Sequence, residues 1–444
     1  MKPVIIVAGI LDTKGEEVKF LASRIKEAGA EPKVLELTLG KECGWADIPL
    51  GEVLKEVGLT PADVFAKVRS EAADSVGAAA AKLVVREYKA GNIHGIVALG
   101  GSMGTAMGSR IMRELPVGAP KVLMTTASGS FRQIVGTKDL CVMYSISEAG
   151  INSVTKAVMN NAAAAVVGMA NAPKLDSKDD RKLIACMMMG LTTPCVKAAS
   201  AVVEDKGDII INHATGSGGE SLEEMICDGY VSGVLDITTH ELVAAMFGGK
   251  NDAGEKRLRS AAKMGVPQVI APGAMDYLLY GGREGVVPQK YLDQMDERHE
   301  HWHNPNILLF GTKAEEAALL GAELARRIKD AKAPAVVCVP MKGFSGTDMK
   351  KPDLACGWAG DTDPPFWIED EENPGRSLRA RRFAEGLMTE LKDCANENIQ
   401  VLLVDRHINE NEFGTLCGEL LSAMLEGKWS RNMGAELEYV TKLL

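Results

Sequence analysis

Residues 95–105, Gly-Ile-Val-Ala-Leu-Gly-Gly-Ser-Met-Gly-Thr, leave the backbone little choice. A short apolar run stops at a glycine pair, and a helical pattern begins at once. After Met103, apolar side chains recur at Ala106, Met107, Ile111 and Leu115, one face of a helix. The segment therefore reads as strand, tight turn, helix. Glycines admit positive φ and clear space for a ligand to approach the main chain. Ser102 and Thr105 are capping residue types, and a helix N-terminus offers free N–H groups and partial positive charge. Together these describe an anion site. The plainer alternative is a turn whose glycines serve packing. No Gly-Lys-Ser/Thr closes the loop, so it is not a Walker A motif, and the Gly-x-Gly-x-x-Gly dinucleotide spacing is absent.

A chain of 444 residues suggests two domains. Hydrophobic residues make up 46% and aromatics only 5%, an ordinary α/β composition with ample core material. The net charge of −10 argues against a nucleic-acid-binding surface. Nine scattered cysteines without a Cys-x-x-Cys favour reduced thiols and a cytoplasmic setting. No apolar run approaches the length of a membrane span, and residues 4–8 read as a first buried strand rather than a signal segment.

That first strand runs into Asp12, Thr13 and Lys14 at the head of a helix. Ligands bind at the carboxyl ends of strands in open α/β sheets. A lysine there opposes the helix dipole; either a bound phosphate or solvation accounts for it. Asp12 either holds a Mg²⁺ that bridges phosphates or caps the helix. Further strands are predicted at 34–37, 121–125 and 142–145, with a long alanine-rich helix over 64–90. A second small-residue loop, Thr126-Ala127-Ser128-Gly129-Ser130, should lie beside the first. The polar, proline-containing stretch 171–181 reads as a domain boundary.

The second half repeats the grammar, with strands at 183–189, 208–212, 233–235, 266–270, 306–310, 335–339 and 401–404 completing a sheet. His213-Ala-Thr215-Gly216-Ser-Gly218-Gly219 is another glycine-rich loop before a helix. Asp236, Thr238, His240 and Glu241 end the neighbouring strand. His213, Asp236, His240 and, further on, His407 are candidate acids and bases. Lys342, Ser345 and Asp348 follow another strand as candidate substrate contacts. Cys195 at a helix start is either an activated nucleophile or a small core residue. His299, His301 and His303 alternate along one side of an extended segment; they form a metal tract, or a polar loop with one functional histidine. The acidic stretch 349–374 is a lid or a solvated loop.

Taken in order, several of these motifs resemble one known family. They are Gly9-Ile10-Leu11-Asp12-Thr13-Lys14-Gly15-Glu16, the Gly100–Thr105 loop, Ala127-Ser128-Gly129, His213–Gly219, Leu235–Glu241 and Asp405-Arg406-His407-Ile408-Asn409. The chain is similar to the tobamovirus-resistance-protein-like ATP-binding domain family and its bacterial homologues. The resemblance implies two Rossmann-like domains, ATP binding and a homodimer, without implying a reaction. Met103 stands where the family loop tends to carry a glycine.

The expectation is therefore α/β, two tandem doubly wound Rossmann-like domains with mostly parallel sheets. They are expected over residues 1–175 and 182–444, with a ligand cleft where strand ends face each other. The expected activity is ATP or phospho-metabolite binding, with action on a small anionic metabolite. Nucleotide, with Mg²⁺, would use Asp12, Thr13, Lys14, Gly100, Gly101, Ser102, Gly104, Thr105, Ser128 and Gly129. Substrate would use Thr215, Gly216, Gly218, Gly219, Thr238, Lys342, Ser345 and Asp348. The alternatives are a nucleotide-gated interaction module without turnover and a metal- or Cys195-dependent hydrolase. Neither nucleic acid nor membrane is an expected partner.

Overall fold

The computed structural model describes residues 2–127, 134–148, 150–173, 182–282, 287–358, 360 and 362–444. The chain divides into two compact units, Met1–Ser177 and Lys178–Leu444.

The first unit is a five-stranded sheet. Its strands are β1 (Val4–Gly9), β2 (Glu31–Glu36), β3 (Gly95–Gly100), β4 (Lys121–Thr125) and β5 (Cys141–Tyr144). All pairings are parallel, in the order β2-β1-β3-β4-β5. A strand points successive side chains to opposite faces, so one apolar run must feed two cores. Ile6, Ala8, Ile96, Ala98 and Leu123 pack against helices α2 (Arg69–Lys89) and α3 (Ser102–Arg113). Ile5, Val7, Val97, Leu99 and Val122 pack against α1 (Leu11–Glu27) and α4 (Ser153–Asn171). Each such Val, Leu or Ile side chain contributes about 1.5–3 kcal/mol on burial. The long helix expected over 64–90 is broken: Pro61–Phe65 is a separate turn of helix, and Val68 is extended before α2 begins.

The second unit has a seven-stranded sheet in the order β15-β14-β13-β9-β8-β6-β7. The strands are β6 (Leu183–Met188), β7 (Asp208–His213), β8 (Val231–Thr238), β9 (Gln268–Gly273), β13 (Ala335–Pro340), β14 (Ile399–Val404) and β15 (Val440–Lys442). All pair in parallel except β15, an antiparallel edge. Helices α5 (Thr193–Val203) and α10 (Asn411–Leu425) supply Val196, Ala199, Phe413 and Leu420 to one core. Helices α8 (Ala314–Ile328) and α9 (Leu378–Leu391) supply Leu320, Leu324, Phe383 and Leu387 to the other. Between the β7 and β8 strands lies α6 (Ser217–Cys227), and after β8 comes α7 (Glu241–Phe247).

One expected strand of this sheet lies elsewhere. Residues 307–311 form β12 (Ile307–Gly311), the middle of a separate antiparallel sheet with β10 (Tyr277–Tyr280) and β11 (Glu300–Asn304). Periodicity identifies a strand, but partner choice is tertiary. Both units are thus tandem Rossmann-like α/β folds. Counted in chain order within each parallel sheet, both follow 2-1-3-4-5, with a sixth parallel strand in the second. In such a sheet the winding reverses between the first and third strands, and ligands bind outside the strand ends there.

Candidate functional site

In the first unit the reversal falls between β1 and β3. Their carboxyl ends carry Asp12-Thr13-Lys14 and Gly100-Gly101. Parts of the glycine loop serve packing. A Cβ on Gly100 would sit 2.7 Å from Gly104 Cα, so the strand can turn into α3 only without side chains there. Thr105 is buried and tied to Thr125 by a 2.5 Å Oγ1–Oγ1 contact, which removes it from ligand reach. Ser102 is the first residue of α3 and makes no cap; Gly101 takes the N-cap position.

Gly101 faces a group of the chain itself. A Cβ on Gly101 would lie 2.5 Å from Glu148 Oε1. Thr126 Oγ1 donates to the other Glu148 oxygen, and Lys14 Nζ donates to the Glu148 carbonyl. Lys14 also stands 3.7 Å from Glu17. A carboxylate therefore occupies the mouth of the loop, and only about 40 Å³ of recess remains beneath it. Asp12 turns away: its Oδ2 lies near Gly40, and burial raises its carboxyl above the usual range against the pull of Arg69. Thr13 bonds back to the Ile10 carbonyl at 3.2 Å. Ser128 and Gly129 lie outside the described residues. Thr126 belongs to the small-residue loop expected beside the first, whereas Glu148, which completes this site from beyond β5, carried no sequence signal.

The second unit answers differently. Gly216 N–H and Gly219 N–H donate to Glu241 Oε1 at 2.7 and 3.1 Å. Gly216 has φ +89, and a Cβ on Gly218 would lie 1.9 Å from the His213 carbonyl. The anion here is built in and locked. Arg257 Nε donates to Glu241 Oε2 at 2.5 Å, and its two terminal nitrogens grip Asp236 at 2.5 and 2.6 Å. Glu223 adds a 3.5 Å contact, and all four side chains are buried. Asp236 is thus half of a bidentate ion pair rather than a free acid or base, and Gly216, Gly218 and Gly219 are closed to substrate. Neither Arg257 nor Glu223 was legible as a partner from sequence.

The remaining expected residues disperse. His240 is fully buried; Nδ1 meets the Ala274 carbonyl at 2.7 Å, and burial depresses its pKa to about 4. It is neutral and cannot reach a substrate. His407 Nε2 meets the Ser345 carbonyl at 2.9 Å and Nδ1 accepts from Asn409 N–H, so both nitrogens serve the fold. Thr238 is buried against Thr192 at 2.7 Å. Ser345 donates to Asp276, whose carboxyl is pushed up to about 7 by burial and by Asp348. Asp348 is paired with Arg379 at 2.8 Å. Lys342 stands apart near Asp405, at 3.5 Å. Cys195 is fully buried beside Cys417, which withdraws it as a nucleophile. The histidine tract does not share a face: His299 lies at φ +52, His301 packs on Trp358, and a bulge in β11 turns His303 into a cavity. Among the described residues no group of three or more His, Cys, Asp or Glu is placed to hold a metal ion. Within the acidic stretch Asp370 is buried and held by Arg381 at 2.9 and 3.0 Å, while Asp363, Glu371 and Glu372 are exposed, as a solvated loop requires. His213 and Thr215 remain together at an open place, with His303, on the wall of a cavity of about 400 Å³.

Fold and site together define a protein of two doubly wound units, each with a glycine loop at a strand end and a carboxylate against it. Family profiles match residues 3–175 and 181–356, described as the N- and C-terminal domains of an uncharacterised protein family, UPF0261. The chain belongs to that family. A UPF0261 protein of Clostridium tetani is 34% identical over 96% of this chain and 100% of its own length. Another, from Rhizobium meliloti, is 34% identical over 78% of this chain and 85% of its own. The ToMV resistance protein Tm-1(GCR237) of Solanum lycopersicum is 28% identical over 93% of this chain, which spans 54% of that protein. Among solved structures, a UDP-N-acetylglucosamine 2-epimerase aligns over 61% of this chain and 79% of its own at 11% identity, with a TM-score of 0.21. That score carries no argument. No helix among the described residues is long and apolar enough to cross a membrane.

Proposed function

We propose that the strand ends of the first unit form an anion site that takes the phosphates of a nucleotide, ATP by resemblance, or of a phosphorylated metabolite. One observation carries this reading: the Glu148 carboxylate already rests against Gly101 at the head of α3, with Lys14 beside it. The first-turn N–H groups of α3, from Ser102 to Gly104, have no acceptor within the helix. A phosphate that displaces the exposed Glu148 gains those donors, the dipole and the Lys14 ammonium. Thr126 is then free to bond the incoming oxygen. Asp12 points toward Gly40, so Mg²⁺ held by Asp12 requires that side chain to turn.

Titration calorimetry with ATP, with and without Mg²⁺, tests this. Saturable binding is expected for the natural chain, with Gly101→Val abolishing it and Lys14→Ala weakening it about tenfold, one lost charge-assisted contact. Glu148→Gln should bind more tightly. Absence of binding of both ATP and inorganic phosphate to Glu148→Gln at millimolar concentration would overturn the reading.

A second reading, nucleotide-gated interaction without turnover, has its own observation. Three of the four expected acids and bases, Asp236, His240 and His407, are consumed by packing or ion pairing. Release of inorganic phosphate from bound ATP would exclude it.

A further inference from the structure

The cavity in the second unit is a separate site. It lies at the carboxyl end of β6 and against the small antiparallel sheet, with walls from Met189, Tyr277, Leu279, Ile307 and Leu309. Its volume, about 400 Å³, falls in the range of small-molecule pockets, and such pockets pair apolar walls with a few placed polar groups.

Two features of the lining point to a ligand. The first is charge. The chain carries 60 acidic residues, yet no Asp or Glu is among the described residues that line this cavity. The ionisable side chains there are Lys250, His213, His303 and the phenol of Tyr277. Lys250 has no carboxylate within ion-pair distance among the described residues, and its ammonium lies over Gly281. The second is unfinished hydrogen bonding. Asn251 is 5% exposed and lines the cavity; its Nδ2 finds no partner and is itself enclosed, and a turn of the amide about its broad χ2 brings it to the cavity. Tyr277 is 1% exposed, and its hydroxyl meets only the Met189 thioether, at 3.6 Å. A thioether is a weak acceptor, and an unsatisfied buried donor costs about 1–3 kcal/mol. The fold gains nothing from leaving both in the wall of one apolar chamber.

We infer that this cavity binds a small carboxylic acid with an apolar body, its carboxylate on Lys250 and Asn251 and its body against Leu279, Leu309 and the Tyr277 ring. One lysine and neutral donors match a single negative charge. A triphosphate carries several negative charges, more than Lys250 answers among these apolar walls. The site stands independently of the anion loop in the first unit.

Octanoate and 4-phenylbutyrate are the probes, with octanamide and 4-phenylbutyramide as uncharged isosteres, in ligand-detected NMR and calorimetry on the whole chain. The acids should bind saturably in the millimolar range or better, at least about tenfold more tightly than the amides. Lys250→Met should bring the acids to the level of the amides and leave ATP titration unchanged. Leu309→Trp should fill the chamber and abolish both. Asn251→Leu removes a donor that the fold does not use. It should therefore weaken the acids while leaving the melting temperature equal or higher, which a structural asparagine would not do. The inference is overturned if neither acid binds at about 10 mM, or if acids and amides bind alike and Lys250→Met changes nothing.

Discussion

The two glycine loops started from the same local sequence logic and ended with opposite roles. Each follows a strand, opens a helix, and has a carboxylate set against it. In the first unit that carboxylate is Glu148, exposed at the rim and held by one threonine hydroxyl. In the second it is Glu241, buried, accepting two loop N–H groups and gripped by Arg257. A rim carboxylate held by one hydroxyl exchanges readily with an external anion, since that single bond is worth about 1.5–3 kcal/mol at most and the incoming anion takes over the same donor. A buried one inside a network of charges does not. The difference between a ligand site and an internal helix cap thus lies in what stands behind the carboxylate.

The comparison can be broken most severely at Arg257. Arg257→Met leaves Asp236, Glu241 and Glu223 buried without their cation, and removal of one partner from a buried pair costs about 3–5 kcal/mol. Urea denaturation should show that loss, and a change under about 1 kcal/mol would mean that the network is not what fixes Glu241. Matched glycine substitutions come next. Gly219→Ala places a Cβ 2.2 Å from Glu241 Oε2, which cannot move, and should cost about 2 kcal/mol. Gly101→Ala places one 2.5 Å from Glu148 Oε1, which can swing to solvent, and should change stability by less than about 0.5 kcal/mol. Equal losses in the two variants would erase the distinction drawn here.

The smallest net effect in the natural chain is a pH dependence, because two buried groups oppose each other. His240 is held neutral with its pKa near 4, against 6.5 when exposed. The unfolded chain takes up that proton first as pH falls, so His240 contributes stability that is present above pH 6.5 and lost on the way to pH 4. The full difference is about 3 kcal/mol. Asp276 works the other way. Its carboxyl is raised to about 7, so it contributes stability at low pH that fades as pH rises from about 4 to 7. The two partly cancel in the natural chain. His240→Phe should therefore show stability that falls less steeply on acidification than the natural chain does, measured by denaturation at pH 7 and pH 5. An unchanged pH slope would show that His240 is not protonated preferentially in the unfolded state.

Much of the fold was readable from local pattern. Apolar runs of strand length that stop at small residues, as at 4–8 and 95–100, fix the strand and its carboxyl-end loop, because alternation and turn chemistry are properties of adjacent residues. What sequence could not supply was partnership across the chain. Arg257 stands 16 residues from Glu241 and 21 from Asp236, and nothing in the spacing announces that one guanidinium will collect both. Glu148 meets Lys14 across 134 residues. His240 and His213 looked alike as strand-end histidines, yet one is sealed beneath Tyr277 and the other opens on a cavity. Local sequence determined where the chain turns and which residue types gather at strand ends. The tertiary structure alone decided which of them face solvent, a cavity or a buried counter-charge, because burial and charge pairing depend on segments brought together only when the sheet is assembled.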